Sequence, residues 1–172
     1  DPRVLARFAL HVKTGEPIPA ELVERMRRAD ECGKATHVLV QMFYARLALD
    51  YHLRPPDARE LGERLVELKR ALLPFEHLEG THFEASFGHL HGYSAMYYTY
   101  MWSLVIAKDV LARFGTDLMD RGTAERWRAD VLAPGGSRDA ADLVRAFLGR
   151  ESRFDALELW LRRSEVGAGA RK

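Results

Sequence analysis

The chain lacks most of what marks an exported, membrane-bound or nucleic-acid-binding protein. Its 172 residues include one cysteine, Cys32. That excludes an internal disulfide framework, suits a reducing compartment and makes a cytoplasmic location the expectation. Charges interrupt every hydrophobic segment, so no apolar run approaches the roughly 20 residues of a membrane span, and no membrane partner is expected. Neither sign of charge prevails: 26 Lys and Arg against 25 Asp and Glu leave +1. There is accordingly no electrostatic argument for nucleic acid or another polyanion as partner. No alternating strand pattern, internal repeat or low-complexity run is visible. Catalytic signatures are missing as well: no G-x-S-x-G elbow, no P-loop and no H-E-x-x-H zinc motif. No signal peptide is visible, and the first residue is Asp1 rather than Met, so a segment of a longer protein is the expectation.

What is present is helical periodicity. "PRVLARFALHV" (2–12) puts Val4, Leu5, Phe8 and Val12 on one helix face, and "TGEPIP" ends it with turn residues. Pro19 stands at the start of "AELVERMRRADE" (20–31), whose early glutamates suit a helix N-terminus, and Gly33 can stop it. "ATHVLVQMFYARLALDYHL" (35–53) is apolar around most of its circumference and reads as a central buried helix, halted at Arg54-Pro55-Pro56. Asp57 can cap "ARELGERLVELKRALL" (58–73), in which Leu61, Leu65, Leu68 and Leu72 form a stripe. Residues 74–92 carry Pro74, Gly80, Gly88 and Gly92 and read as a long irregular connection. A helix is expected from about Tyr93 to Phe114, with shorter ones near 123–132, 138–149 and 154–165. The fold expected is all-α, with about seven or eight helices in one helical body over residues 1–166. "GAGARK" (167–172) should form a disordered tail.

One stretch stands apart chemically. "FGHLHGYSAMYYTYMW" (87–102) holds two histidines and four tyrosines. On a continuous helix Tyr93, Tyr97 and Tyr100 fall at i, i+4 and i+7 and share a face. His89 precedes them on a loop where Gly88 and Gly92 let the backbone turn or approach a ligand closely. A tyrosine is neutral near pH 7, so several such hydroxyls can donate to a developing oxyanion without adding charge. The same spacing also suits a packing face whose hydroxyls reach solvent or carbonyls, and spacing alone leaves both readings open. A metal site is a competing use of His77, His82, His89 and His91 beside Glu76, Glu79 and Glu84, but their spacings match no compact ligand motif. Cys32 reads as an inert thiol, and His11, His37 and His52 as surface or satisfied core residues.

Taken in order, "HVKTGEPIP" (11–19), "EGTHFEASFGHLHGYSAMYYTYMWSLVIAKDVLARF" (79–114) and "VLAPGGSRDAADLVRAFLGR" (131–150) resemble the zinc metallo-oligopeptidase family of thimet oligopeptidase, oligopeptidase A and dipeptidyl carboxypeptidase. The resemblance covers nearly the whole chain. It implies the helical C-terminal part of a peptidase catalytic domain, lying after the H-E-x-x-H segment and the glutamate that together hold zinc. The chain itself would then carry no metal ligand and no cofactor, and would be inactive alone, with zinc in the complete parent enzyme. By the same resemblance His89 matches a histidine that contacts the backbone of a bound peptide, Tyr93 a further substrate-contacting tyrosine, and Gly88 and Gly92 belong to the substrate-binding loop. Tyr97 and Tyr100 match the tyrosines that stabilise the tetrahedral intermediate. "HLHGY" departs from the family pattern, being one residue shorter with a single glycine before Tyr93, and His91 inherits no role. The implied partners are short peptide substrates and the N-terminal remainder of the parent, with self-association of the chain when alone. The alternative is a free-standing, non-catalytic helical module that binds peptides or protein partners with the same tyrosine face.

Overall fold

Capping chemistry and the turns between segments decide where the helices start and stop. The computed structural model describes residues 1–166, so the expected tail at 167–172 lies outside the described residues. Ten α-helical segments follow one another: α1 Pro2–Leu5, α2 Ala20–Glu31, α3 Lys34–Leu53, α4 Glu60–Leu72, α5 Phe83–Ser86, α6 His89–Gly92, α7 Thr99–Ala112, α8 Arg121–Trp127, α9 Ala140–Leu148 and α10 Asp155–Val166. No β-sheet occurs among the described residues, and the fold is all-α as expected. Between α2 and α3 stands Gly33, whose φ of 71° lies in the left-handed region that glycine enters without steric cost. Ahead of α4, the Asp57 carboxylate accepts from the backbone N–H of Arg59 (2.8 Å) and Glu60 (3.0 Å). Glu60 in turn accepts from the N–H of Asp57 at 3.3 Å, a reciprocal cap that starts the helix at Glu60. Asp120 and Asp139 cap α8 and α9 one-sidedly, their carboxylates accepting from the backbone N–H of Thr123 and Ala141.

Two compact units make up the described chain. Gly33–Leu104 is built on α3 and α4, with Phe43, Leu47, Ala48 and Tyr51 of α3 buried against Leu65, Phe87 and Tyr97. The remaining leucines of the α4 stripe, Leu61, Leu68 and Leu72, pack partly buried around that cluster, whose fully buried members such as Leu47 and Leu65 contribute about 1.5–3 kcal/mol each. The other unit combines Asp1–Cys32 with the chain from Val105 onward. Its core holds Val110, Phe147 and Leu148, flanked by Ile106, Phe114, Trp127 and Val131. A π-helical turn, Arg128–Leu132, continues α8, and Trp127 meets the Phe147 ring edge-on at 5.2 Å.

Four expectations need correction. The first helix is a single turn, because the backbone of residues 9–11 pairs instead with residues 16–18. His11 N–H donates to Glu16 and Ile18 N–H to Ala9, which leaves Phe8 and Val12 exposed. Helix α3 is not buried all round: Leu39, Met42, Leu49 and Leu53 are exposed. The connection at 74–92 is not wholly irregular, since it contains α5 and α6. The aromatic helix begins at Thr99 rather than Tyr93, after a 3-10 turn over Met96–Tyr98. The break falls at Ser94, whose φ of 51° no α-helix accommodates.

Candidate active site

All the residues singled out in the aromatic stretch lie in the Gly33–Leu104 unit, where three elements carry them. His89 opens α6, Tyr97 lies in the 3-10 turn and Tyr100 in the first turn of α7, while Tyr93 sits just past the end of α6. The break at Ser94 therefore removes the shared helical face, yet the rings still meet. The His89 imidazole lies 5.3 Å from the Tyr93 ring, 5.0 Å from Tyr97 and 5.9 Å from Tyr100. Tyr97 and Tyr100 are 5.0 Å apart. A hydrogen bond of 3.2 Å joins His89 Nε2 to the Tyr100 hydroxyl. Tertiary packing of short elements has gathered the four rings.

Exposure divides them. Tyr93 and Tyr100 are 64% and 53% exposed, whereas Tyr97 is 9% exposed. Its ring is held edge-on by Tyr44 of α3 at 5.5 Å and by Phe87 at 5.3 Å. The Tyr97 hydroxyl donates to Oε1 of Gln41, also on α3, at 3.0 Å. Burial pushes the Tyr97 phenol above its ordinary pKa, Tyr44 and Tyr100 add to that rise, and Gln41 opposes it. The group is thus a neutral donor at physiological pH. Gly88 and Gly92 do not act through left-handed backbone: Gly88 has φ of −57°, and Gly92 is not among the positive-φ glycines. Both face open space, so a ligand could approach the main chain there.

The histidines upstream do not assemble with these groups into a metal centre. His82 Nδ1 stands 3.4 Å from Glu84 Oε1, and His77 Nδ1 is buried without a hydrogen-bond partner. Among the described residues no three His, Cys, Asp or Glu side chains are grouped so as to hold a metal ion. This donor set does not fit zinc. No helix among the described residues is long and apolar enough to cross a membrane.

The arrangement is therefore a cluster of three phenols and an imidazole on an aromatic base. Its sequence setting decides the family, for the profile of peptidase family M3 matches residues 1–162. The chain belongs to peptidase family M3. Among curated relatives of this M3 chain, oligopeptidase A of Escherichia coli is 32% identical over 162 residues, covering 91% of the chain and 24% of the relative. The human mitochondrial intermediate peptidase is 33% identical over 149 residues, covering 86% and 21%. Dipeptidyl carboxypeptidase of Salmonella typhimurium is 32% identical over 166 residues, covering 91% and 24%. The M3 chain thus spans about a quarter of the length of the curated relatives it matches.

Sequence reasoning missed the three residues that support Tyr97: Gln41, Tyr44 and Phe87. Gln41 did carry a signal. It is the only glutamine in the chain, which contains no asparagine, and it stands in the middle of an apolar helix. A lone carboxamide in such a place needs a partner when partly buried.

Proposed function

We propose that this chain is the substrate-binding and oxyanion-stabilising part of a zinc-dependent oligopeptidase that hydrolyses short peptides. The observation that carries the reading is the 3.2 Å hydrogen bond between His89 and Tyr100, within a cluster that also contains Tyr93 and Tyr97, in a chain of peptidase family M3. In the complete enzyme the metal would be held by residues upstream of this chain and would activate water and polarise the scissile carbonyl. The N-terminal remainder is accordingly the first partner of this chain. The reading makes the chain inactive alone, because donors without a nucleophile can only hold a substrate. A cytoplasmic location remains part of the proposal, supported by the single unbridged Cys32.

Each side chain has a defined task in this reading. His89 and Tyr93 present an imidazole and an exposed phenol to the backbone of the peptide, beside the open main chain of Gly88 and Gly92. Tyr100, half-exposed and oriented by His89, donates to the carbonyl oxygen as it gains negative charge. Tyr97 supplies a second donor from a more enclosed position once its hydrogen, engaged by Gln41 in the resting site, is released. Donors whose rings are held in place before the reaction stabilise charge with little reorganisation, which is why they lower the barrier rather than merely tighten binding.

The test is Tyr100→Phe in the complete peptidase. The expected result is a fall in kcat on the order of 10²–10³ with KM little changed, as for loss of an oxyanion donor. An unchanged kcat with a raised KM would make Tyr100 an ordinary binding contact and overturn the assignment.

A further inference from the structure

A phenol has one hydrogen and two lone pairs, so its proton points at one acceptor at a time. At Tyr97 that acceptor is Gln41 Oε1, 3.0 Å away. In this arrangement Tyr97 has no hydrogen left for a substrate oxygen, although its ring is fixed by Tyr44, Phe87 and His89. The partner is a primary amide, which carries a donor and an acceptor at equal reach. A half-turn of its terminal torsion presents Nε2 where Oε1 stood, with almost no change of shape. Gln41 would then donate to the phenol oxygen, and the hydroxyl hydrogen would be free to turn toward the open side of the cluster. No carboxylate, hydrocarbon or ammonium side chain can play both parts.

We propose that Gln41 is a positioning residue for Tyr97, holding the phenol through Oε1 in the resting site and through Nε2 when Tyr97 donates to a substrate oxyanion. The inference rests on the reading of Tyr97 as an oxyanion donor. Two observations stand behind it: the contact joins residues 56 positions apart, and Gln41 is the single carboxamide of the chain. In the reversed state the amide would donate to the phenol oxygen and so favour its negative form.

The experiment is a double-mutant cycle in the complete peptidase with its metal, using Gln41→Glu, Gln41→Met and Tyr97→Phe. Glutamate keeps the shape and the acceptor but loses the donor, and methionine is an uncharged control of the same length. Both are expected to lower kcat by about 10-fold to 10²-fold with KM little changed, less than the order of 10²–10³ for losing a donor outright. Neither should lower kcat further in the Tyr97→Phe background. If Tyr97→Phe leaves kcat unchanged, the donor reading of Tyr97 itself fails. If Tyr97→Phe lowers kcat while Gln41→Glu does not, that reading stands and the role of Gln41 is overturned. Equal effects of the Gln41 substitutions with and without the Tyr97 hydroxyl would overturn it too.

Discussion

Arg150 grips the Asp109 carboxylate at both oxygens, with each N–O distance 2.7 Å. Asp109 lies in α7 and is 3% exposed, and its Oδ2 also accepts the backbone N–H of Arg153 at 2.9 Å. A buried charge is tolerated only when its lone pairs are filled, and here the planar fork of arginine fills two of them. The same contacts hold the Asp109 carboxyl below its usual range: the Arg150 hydrogen bond acts most strongly, burial opposes it, and the Arg153 amide assists.

Asp109→Asn should therefore destabilise the chain by about 2 kcal/mol at neutral pH, the scale of a hydrogen bond to a charged group. Because the folded-state pKa is depressed, this contribution is complete above the unfolded carboxyl value of about 3.9 and is lost as pH falls through the folded value. Urea unfolding of the parent and variant from pH 7 downward should show the two stabilities converging below about pH 4. A gap that persists unchanged to the lowest pH would show that the charge of Asp109 is not the source of its contribution.

Tyr51 titrates at the opposite end of the scale. Its hydroxyl donates to the Leu61 carbonyl at 2.6 Å, tying α3 to α4. Burial pushes the phenol up to about 12, with Glu84 and Asp50 adding to the rise. A raised folded-state pKa gives stability that is present below the unfolded value of about 10 and lost as pH climbs through the folded one. Stability should then fall between about pH 10 and 12, and Tyr51→Phe should flatten that fall while costing about 1 kcal/mol at pH 8. Unfolding curves across pH 8–12 check both effects.

Much of this architecture was legible because it is written locally. Leu61, Leu65, Leu68 and Leu72 announce the buried face of α4, and the Asp57 and Glu60 pair marks its start. The site was legible in part. His89, Tyr97 and Tyr100 do come together, but not on one helix, because Ser94 adopts a left-handed conformation that no glycine or asparagine signals. Gln41 was invisible to periodicity, since its bond to Tyr97 depends on how α3 packs against a turn far along the chain. An exposed side on α3 is expected for a segment parted from its neighbours, but which residues form it is not legible, because an apolar residue in sequence does not reveal what, if anything, covers it.

His89 and Tyr100 should behave as a coupled pair in the complete peptidase. On the proposed reading of the site, His89→Ala removes both a peptide contact and the partner of the Tyr100 hydroxyl, so KM should rise and kcat should fall. In a cycle with Tyr100→Phe the kcat effects should be less than additive, with a coupling of about 0.5–3 kcal/mol for residues in direct contact. Strict additivity in kcat would mean that the 3.2 Å hydrogen bond has no bearing on the transition state.

The chain on its own should self-associate through the uncovered side of α3. Leu39, Met42, Leu49 and Leu53 recur there at spacings of three, seven and four, interrupted by Arg46, which is the pattern of a helix face meant for contact. Leu53 is 69% exposed, and Met96, Tyr98 and Trp102 are each about half exposed elsewhere in the Gly33–Leu104 unit. Apolar surface of this extent gains about 25 cal/mol for each Å² removed from water, so association should be concentration-dependent and strengthened by sulfate. Sedimentation of the isolated chain over a concentration series should show mass increasing with concentration. Met42→Glu with Leu53→Glu should return it to a monomer without lowering its melting temperature, because neither side chain belongs to the buried cluster of Phe43, Leu47 and Tyr51. An isolated chain that stays monomeric throughout would show that this face needs no cover. Monomerisation accompanied by unfolding would instead place Met42 and Leu53 within the stabilising core.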